Sequence, residues 1–296
     1  MKQSKFAGVG VALITPFAEN GSIDFAKLAQ IIEYIIANGI DYIVALGTTS
    51  EAPTMSADER IAAARFIKER VAGRTPLVIG IGGNCTRDVE QALRSGIAGG
   101  YDAVLSVCPY YNKPNQEGLY RHFRAVADAS PLPVILYNVP SRTGINILPA
   151  TVARLAKECP KIIGIKEASG NVEQMRAIRD LAPEQFLLIC GDDALTVDAM
   201  RLGGVGVISV LAQLYPQQTV AFVREAHEGR FDAADALFAP LATITAELFE
   251  EGNPVGIKTA MAIKGLCNAT VRLPLVAGSD HLREKMAHSI AAYEKR

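Results

Sequence analysis

Tryptophan is absent from the 296 residues, cysteine is limited to five and histidine to four. The cysteines (Cys85, Cys108, Cys159, Cys190, Cys267) are odd in number and widely spaced, with no CxxC pair, which argues against a zinc site, a redox motif or a disulfide framework and fits a reduced cytoplasm. His281 and His288 stand seven apart rather than at the three- or four-residue spacing of helical ligands, so no metal is expected. Charge of one sign is lacking too. Thirty Lys+Arg face 31 Asp+Glu without a basic run, so nucleic acid is not an expected partner. The longest uncharged segment, Leu202 to Val223, holds Gly203, Gly204, Pro216 and three glutamines, so no membrane span is expected. Its N-terminal apolar run lacks a small-residue cleavage site and reads as a first strand. Neither a third Rossmann glycine nor GxxxxGK[ST] occurs, so no dinucleotide or P-loop site is supported, and no cofactor is expected.

What is present is a repeating pattern. The runs VGVALI, YIVALG, LVIGIG, AVLSV, VILYNV, IIGIK, FLLIC and VGVISV begin 19 to 35 residues apart, room for a crossover helix each time. Between them lie helical patterns such as FAKLAQIIEYIIANG, QEGLYRHFRAVADA and NVEQMRAIRDLAP. Ser56 and Glu59 form a capping box before a helix whose Ile61, Ala64, Phe66 and Ile67 are expected to face the core and whose Gly73 is expected to end it. Eight βα units predict an α/β (β/α)8 TIM barrel over residues 1–231, with a doubly wound open sheet as the alternative, because spacing alone does not show closure. Residues 232–296 carry helical patterning without a further strand and read as a C-terminal helical extension.

Lys166 interrupts the apolar run IIGIK. A strand-end lysine is ordinarily a solvated terminus, but a desolvated amine can attack a ketone and form a Schiff base. The barrel reading supports the chemical alternative, because catalytic groups gather where strands end. Thr48, Thr49, Ser50 and Glu51 follow YIVALG; Tyr110 and Tyr111 follow AVLSVCP; Tyr137 and Asn138, then Arg142, close VILYNV; Gly191, Asp192 and Asp193 follow FLLIC. Alternation places Gly164 on the face of Lys166, where its missing side chain is expected to leave room for the lysine stem. Thr48 and Thr49 suit either a turn or a carboxylate, Tyr137 either a core aromatic or a proton relay, and Arg142 either solvent or a bidentate carboxylate. Turn and cap roles are expected for Glu51 and the Asp192–Asp193 pair. The glycines of LGGVGVISV suit close packing better than a phosphate.

Over nearly its whole length, from GVGVALITPF through ALGTTSEAPT, CPYYNKPNQEGLYRHF, ILYNVPSRTG, GIKEASG and CGDDA to GGVGVISV, the sequence resembles the dihydrodipicolinate synthase and N-acetylneuraminate lyase superfamily of class I aldolases. The resemblance implies that Lys166 is the Schiff-base lysine and Tyr137 the proton-transfer residue, with Thr49 and Tyr111 completing its relay. It implies that Thr48 and Thr49 hold the pyruvate carboxylate, that Arg142 binds the second substrate, and that Gly191 and Ile208 line the pocket. The implied reaction condenses pyruvate with L-aspartate 4-semialdehyde to 4-hydroxy-tetrahydrodipicolinate on the way to diaminopimelate and lysine. A sister aldolase acting on N-acetylneuraminate or a 2-keto-3-deoxy sugar acid is the alternative, and Arg142 favours the synthase. A homotetramer built as a dimer of dimers is implied, with Tyr111 reaching into the neighbouring site. Positions matching an end-product site for L-lysine are Ala52, Pro53, Ala57, Arg60, Asn84, Asp88 and Tyr110. Arg60 there predicts weak or absent inhibition, since its charge opposes a cationic ligand. Ser50 replaces a glycine common in relatives and would be strained if that position needed a positive φ.

Overall fold

A computed structural model describes residues 4–295. Eight parallel strands form one closed barrel in chain order: β1 (Gly8–Ala12), β2 (Tyr42–Ala45), β3 (Leu77–Gly80), β4 (Ala103–Val107), β5 (Val134–Asn138), β6 (Ile162–Glu167), β7 (Leu187–Cys190) and β8 (Gly206–Ser209). Their side chains are buried almost without exception, since one face fills the barrel and the other is covered by helices. Closure is made by β1 against β8, paired from Gly8↔Gly206 to Val11↔Ser209, which excludes the open sheet. That seam explains a glycine of LGGVGVISV. Gly206 has φ 148° and a Cβ there would fall 2.0 Å from the Gly8 carbonyl oxygen, so the two backbones meet only because the side chain is missing.

The capping box at Ser56 and Glu59 forms, and opens the helix Ala57–Val71. Ala72 and Gly73 then both take left-handed backbone and end it. Ala63, Ala64, Ile67 and Val71 are its buried positions. Ile61, expected to face the core, is instead 51% exposed. It lies roughly 100° around the helix from the centre of that buried stripe. Phe66 is half-buried and packs its ring on Phe25 at 4.8 Å.

After β8 the described residues hold helices Pro216–His227, Phe231–Phe238, Ala242–Glu250, Val255–Ile263 and Asp280–Glu294 and no further strand. Leu248, Ile257, Met261, Leu282 and Met286 belong to the same continuous apolar core as the barrel strands. No helix of the described residues is long and apolar enough to cross a membrane.

Candidate active site

Tyr137 and Lys166 are directly paired across β5 and β6, so both point into the barrel near its C-terminal mouth. Lys166 is only 7% exposed, and its Nζ lies 4.6 Å from the centre of the Tyr137 ring. No carboxylate among the described residues pairs with it. The other deeply buried lysine, Lys258, is held at 2.5 Å by Glu51. One buried ammonium is therefore locked in an ion pair, while Lys166 faces an aromatic ring and an open strand end, where an amine can meet a carbonyl compound.

Room for Lys166 comes from a different glycine than expected. A Cβ at Gly164 would meet Leu187 of β7, its register partner, at 2.6 Å, so that position accommodates the neighbouring strand and not the lysine stem. A Cβ at Gly191 would fall 2.9 Å from Lys166 Cε and 2.6 Å from Ala168 Cβ. Gly191 also donates its backbone N–H to the Glu167 carbonyl at 2.8 Å, which fixes the loop after β7 against the lysine. Ile208 on β8 is buried, paired with Gly10.

Thr48, Thr49 and Ser50 form one 3-10 turn after β2. The positive φ angles of this segment fall on Leu46 (53°) and Glu51 (57°), not on Ser50, whose hydroxyl donates to the Gly47 carbonyl at 2.7 Å. The serine is thus accommodated without left-handed strain. Glu51 does sit at a turn and cap position, closing this turn and opening the next one with left-handed backbone, but its side chain does more than that: the carboxylate is buried, receives Lys258 Nζ at 2.5 Å and the Arg272 backbone N–H at 2.9 Å, and pins the turn to the C-terminal segment. Burial depresses the Lys258 pKa, and the Glu51 charge opposes that fall.

Asp192 does cap, accepting from the Ala194 N–H at 3.0 Å. Asp193 is sealed from solvent and accepts from the Ser209 hydroxyl and from the N–H groups of Val210 at 2.9 Å and Leu211 at 3.1 Å. It ties the loop after β7 to the end of β8, and burial raises its pKa against those hydrogen bonds. Burial also pushes the Cys190 thiol up to about 12, which leaves it a poor nucleophile beside the lysine. Behind the barrel wall Glu167 is fully buried and accepts from Asn138 Nδ2 at 3.0 Å, Gln174 Nε2 at 3.0 Å and the Ser169 N–H at 2.7 Å. Asn138 and Glu167 are register partners adjacent to the Tyr137–Lys166 pair, so this amide network stiffens the strands that carry it.

Arg142 follows β5 and donates through Nη2 to the Asn253 carbonyl at 2.9 Å, while Asn253 Nδ2 donates to Thr49 Oγ1 at 2.8 Å. The residue joining these two candidates was not singled out from the sequence; the only local signal was the Asn-Pro dipeptide that interrupts the helical pattern of the extension. Tyr111 stands apart from this cluster, 87% exposed and with φ 71°. Among the described residues no group of three or more His, Cys, Asp or Glu is placed to hold a metal.

The model of the dihydrodipicolinate synthetase family matches residues 5–293. The chain belongs to that family. The 4-hydroxy-tetrahydrodipicolinate synthase of Porphyromonas gingivalis is 45% identical over the whole of both chains. The dihydrodipicolinate synthase structure from Thermotoga maritima superposes with a TM-score of 0.96 at 35% identity, covering 98% of this chain and 99% of that one. A structure described as a monomeric dihydrodipicolinate synthase variant has a TM-score of 0.95 at 35% identity, covering 98% and 97%. Within the family the chain is an enzyme.

Proposed function

We propose that the chain condenses pyruvate with L-aspartate 4-semialdehyde through a Schiff base on Lys166, giving 4-hydroxy-tetrahydrodipicolinate. The observation that carries this reading is the buried Lys166 amine, 4.6 Å from the Tyr137 ring and without a carboxylate partner among the described residues, beside Gly191, where a side chain would crowd its stem. The amine attacks the pyruvate ketone; the carbinolamine loses water, and Tyr137 passes the protons that this exchange requires. Thr48 and Thr49 hold the pyruvate carboxylate through the turn after β2, and Ile208 lines the pocket with Gly191. Arg142 keeps guanidinium donors beyond the one bonded to Asn253, enough to take the carboxylate of the second substrate.

Tyr111 completes the relay from a neighbouring protomer in a dimer of dimers. Its exposure supports this, since an aromatic so open in one chain has surface to give to another. The barrel spans residues 1–231 and the helical extension 232–296, the enzyme works in the cytoplasm, and no cofactor takes part. L-Lysine inhibits weakly or not at all at the surface holding Ala52, Asn84, Asp88 and Tyr110, because Arg60 is exposed on the adjoining helix and repels a cation. Borohydride reduction with pyruvate tests the central step: a stable pyruvate adduct on the peptide containing Lys166 is expected, and labelling elsewhere or undiminished turnover in Lys166→Ala overturns it.

A further inference from the structure

Two candidate substrate-binding elements, the turn after β2 and the arginine after β5, meet at one residue from the C-terminal segment. Asn253 is 8% exposed. Its backbone carbonyl accepts from Arg142, and its side-chain amide donates to Thr49 Oγ1. The two links use different atoms, so replacing the side chain alone leaves the arginine's anchor in place.

The direction of the Thr49 bond matters chemically. A hydroxyl has one hydrogen to donate and two lone pairs to accept with, whereas an amide nitrogen only donates. With one lone pair filled by Asn253, the Thr49 O–H remains free to point elsewhere, and its oxygen is polarised so that its proton is a better donor. We infer that Asn253 is a positioning residue that orients the Thr49 hydroxyl as a donor toward Tyr137 and the bound pyruvate. This deepens the proposed relay and rests on that reading.

A second feature separates this role from packing. Asn253 Oδ1 is buried and has no hydrogen-bond partner among the described residues. An unmet buried acceptor costs stability, so an apolar residue of the same shape removes that cost while also removing the bond to Thr49. Stability and turnover should therefore part company when the amide is replaced.

The experiment compares Asn253→Leu and Asn253→Asp in the full chain. Both match asparagine in shape, and the carboxylate of the second is acceptor-only, drawing the Thr49 O–H toward itself. Turnover should fall by roughly 10-fold or more in each. In Asn253→Leu the KM for L-aspartate 4-semialdehyde should stay within about twofold, because the backbone carbonyl still holds Arg142. Its melting temperature should not drop, and borohydride should still trap pyruvate on Lys166. Wild-type turnover in either variant overturns the inference. So does a parallel rise of both KM values with a lowered melting temperature in Asn253→Leu, which would make Asn253 a packing residue. Failure to trap pyruvate in the unsubstituted enzyme would instead sink the Schiff-base reading itself.

Discussion

Gly191 leaves no space for even a methyl group beside Lys166: a Cβ there would sit 2.9 Å from the lysine Cε and 2.6 Å from Ala168 Cβ. Its φ lies outside the left-handed region, so alanine is tolerated by the backbone and the contact alone decides the outcome. The lysine stem can swing, but Ala168 Cβ yields only if the backbone of the loop after β6 or β7 shifts. Gly191→Ala should therefore lower the melting temperature as well as displace the amine, lowering kcat/KM for pyruvate by roughly 10²-fold, as expected when a reacting group is misplaced by about an ångström. The rate of imine trapping, measured by mass spectrometry, should fall with it. Unchanged trapping would show that the lysine has slack which the geometry denies.

The Glu51–Lys258 pair joins the turn of Thr48 and Thr49 to the helix Val255–Ile263, and both side chains are sealed from solvent. Lys258 also donates to the Thr270 carbonyl at 2.9 Å and lies 4.1 Å from the centre of the Phe17 ring. Lys258→Met strands a buried carboxylate, which costs about 3–5 kcal/mol. Adding Glu51→Gln should recover much of that loss, because the uncompensated charge disappears. Urea titration of both variants checks this; additive destabilisation in the double variant would mean the two residues do not act as a pair.

Burial lowers the His122 pKa from 6.5 to about 4, slightly offset by Glu90. The ring lies between Thr86, whose hydroxyl is 2.8 Å from Nδ1, and Phe123, and its buried Nε2 has no hydrogen-bond partner among the described residues. The folded chain therefore favours the neutral ring. That preference is fully present above pH 6.5 and is lost progressively as pH falls toward 4, where the unfolded chain binds a proton that the folded one refuses. The gap corresponds to about 3 kcal/mol. His122→Phe should flatten the fall in melting temperature between pH 6.5 and 4 relative to the unsubstituted enzyme. Parallel curves would remove His122 as a cause.

Most of the barrel was legible in the sequence because a parallel strand buried on both faces is nearly all apolar, and because the crossover lengths left few arrangements. The runs beginning at Tyr42, Leu77, Ala103, Val134 and Ile162 start where the strands start. Tyr137 and Lys166 stood out as polar residues at strand ends, and the register pairs them across β5 and β6. Period-two alternation was less informative. It failed at Gly164, because alternation says which face a residue occupies but not which neighbour fills the space above it; there Leu187 does. The roles of Glu51 and Asn253 were hidden for another reason. Their partners Lys258 and Thr49 lie 207 and 204 residues away, and no local pattern carries a contact of that range. Ile61 reads as core in a short apolar window, yet the helix turns it to the surface.

Tyr111 gives the sharpest test of assembly. In a single chain it is 87% exposed, on a loop held by the Asn112 side chain donating to the Asn84 carbonyl at 2.8 Å. Its φ of 71° places a tyrosine in backbone territory that bulky residues rarely occupy, and such strain persists where a surrounding structure or a function fixes it. If Tyr111 serves the neighbour's site, a protomer carrying Lys166→Ala still offers its tyrosine outward, and a protomer carrying Tyr111→Phe still holds a working lysine. Each variant alone should show roughly 10²-fold or lower turnover, since each lacks a group that takes part in proton transfer or imine formation. Co-refolded or mixed and re-equilibrated, the two should form dimers with one complete site, and activity should rise to about a quarter of the unsubstituted value when the pairing is random and the protomers equal. Sedimentation velocity at the assay concentration must show association in the same samples. Absence of recovery in a mixture that has demonstrably exchanged subunits would place Tyr111 in its own protomer's site or outside the reaction, and a fully active monomer would remove the need for a partner altogether.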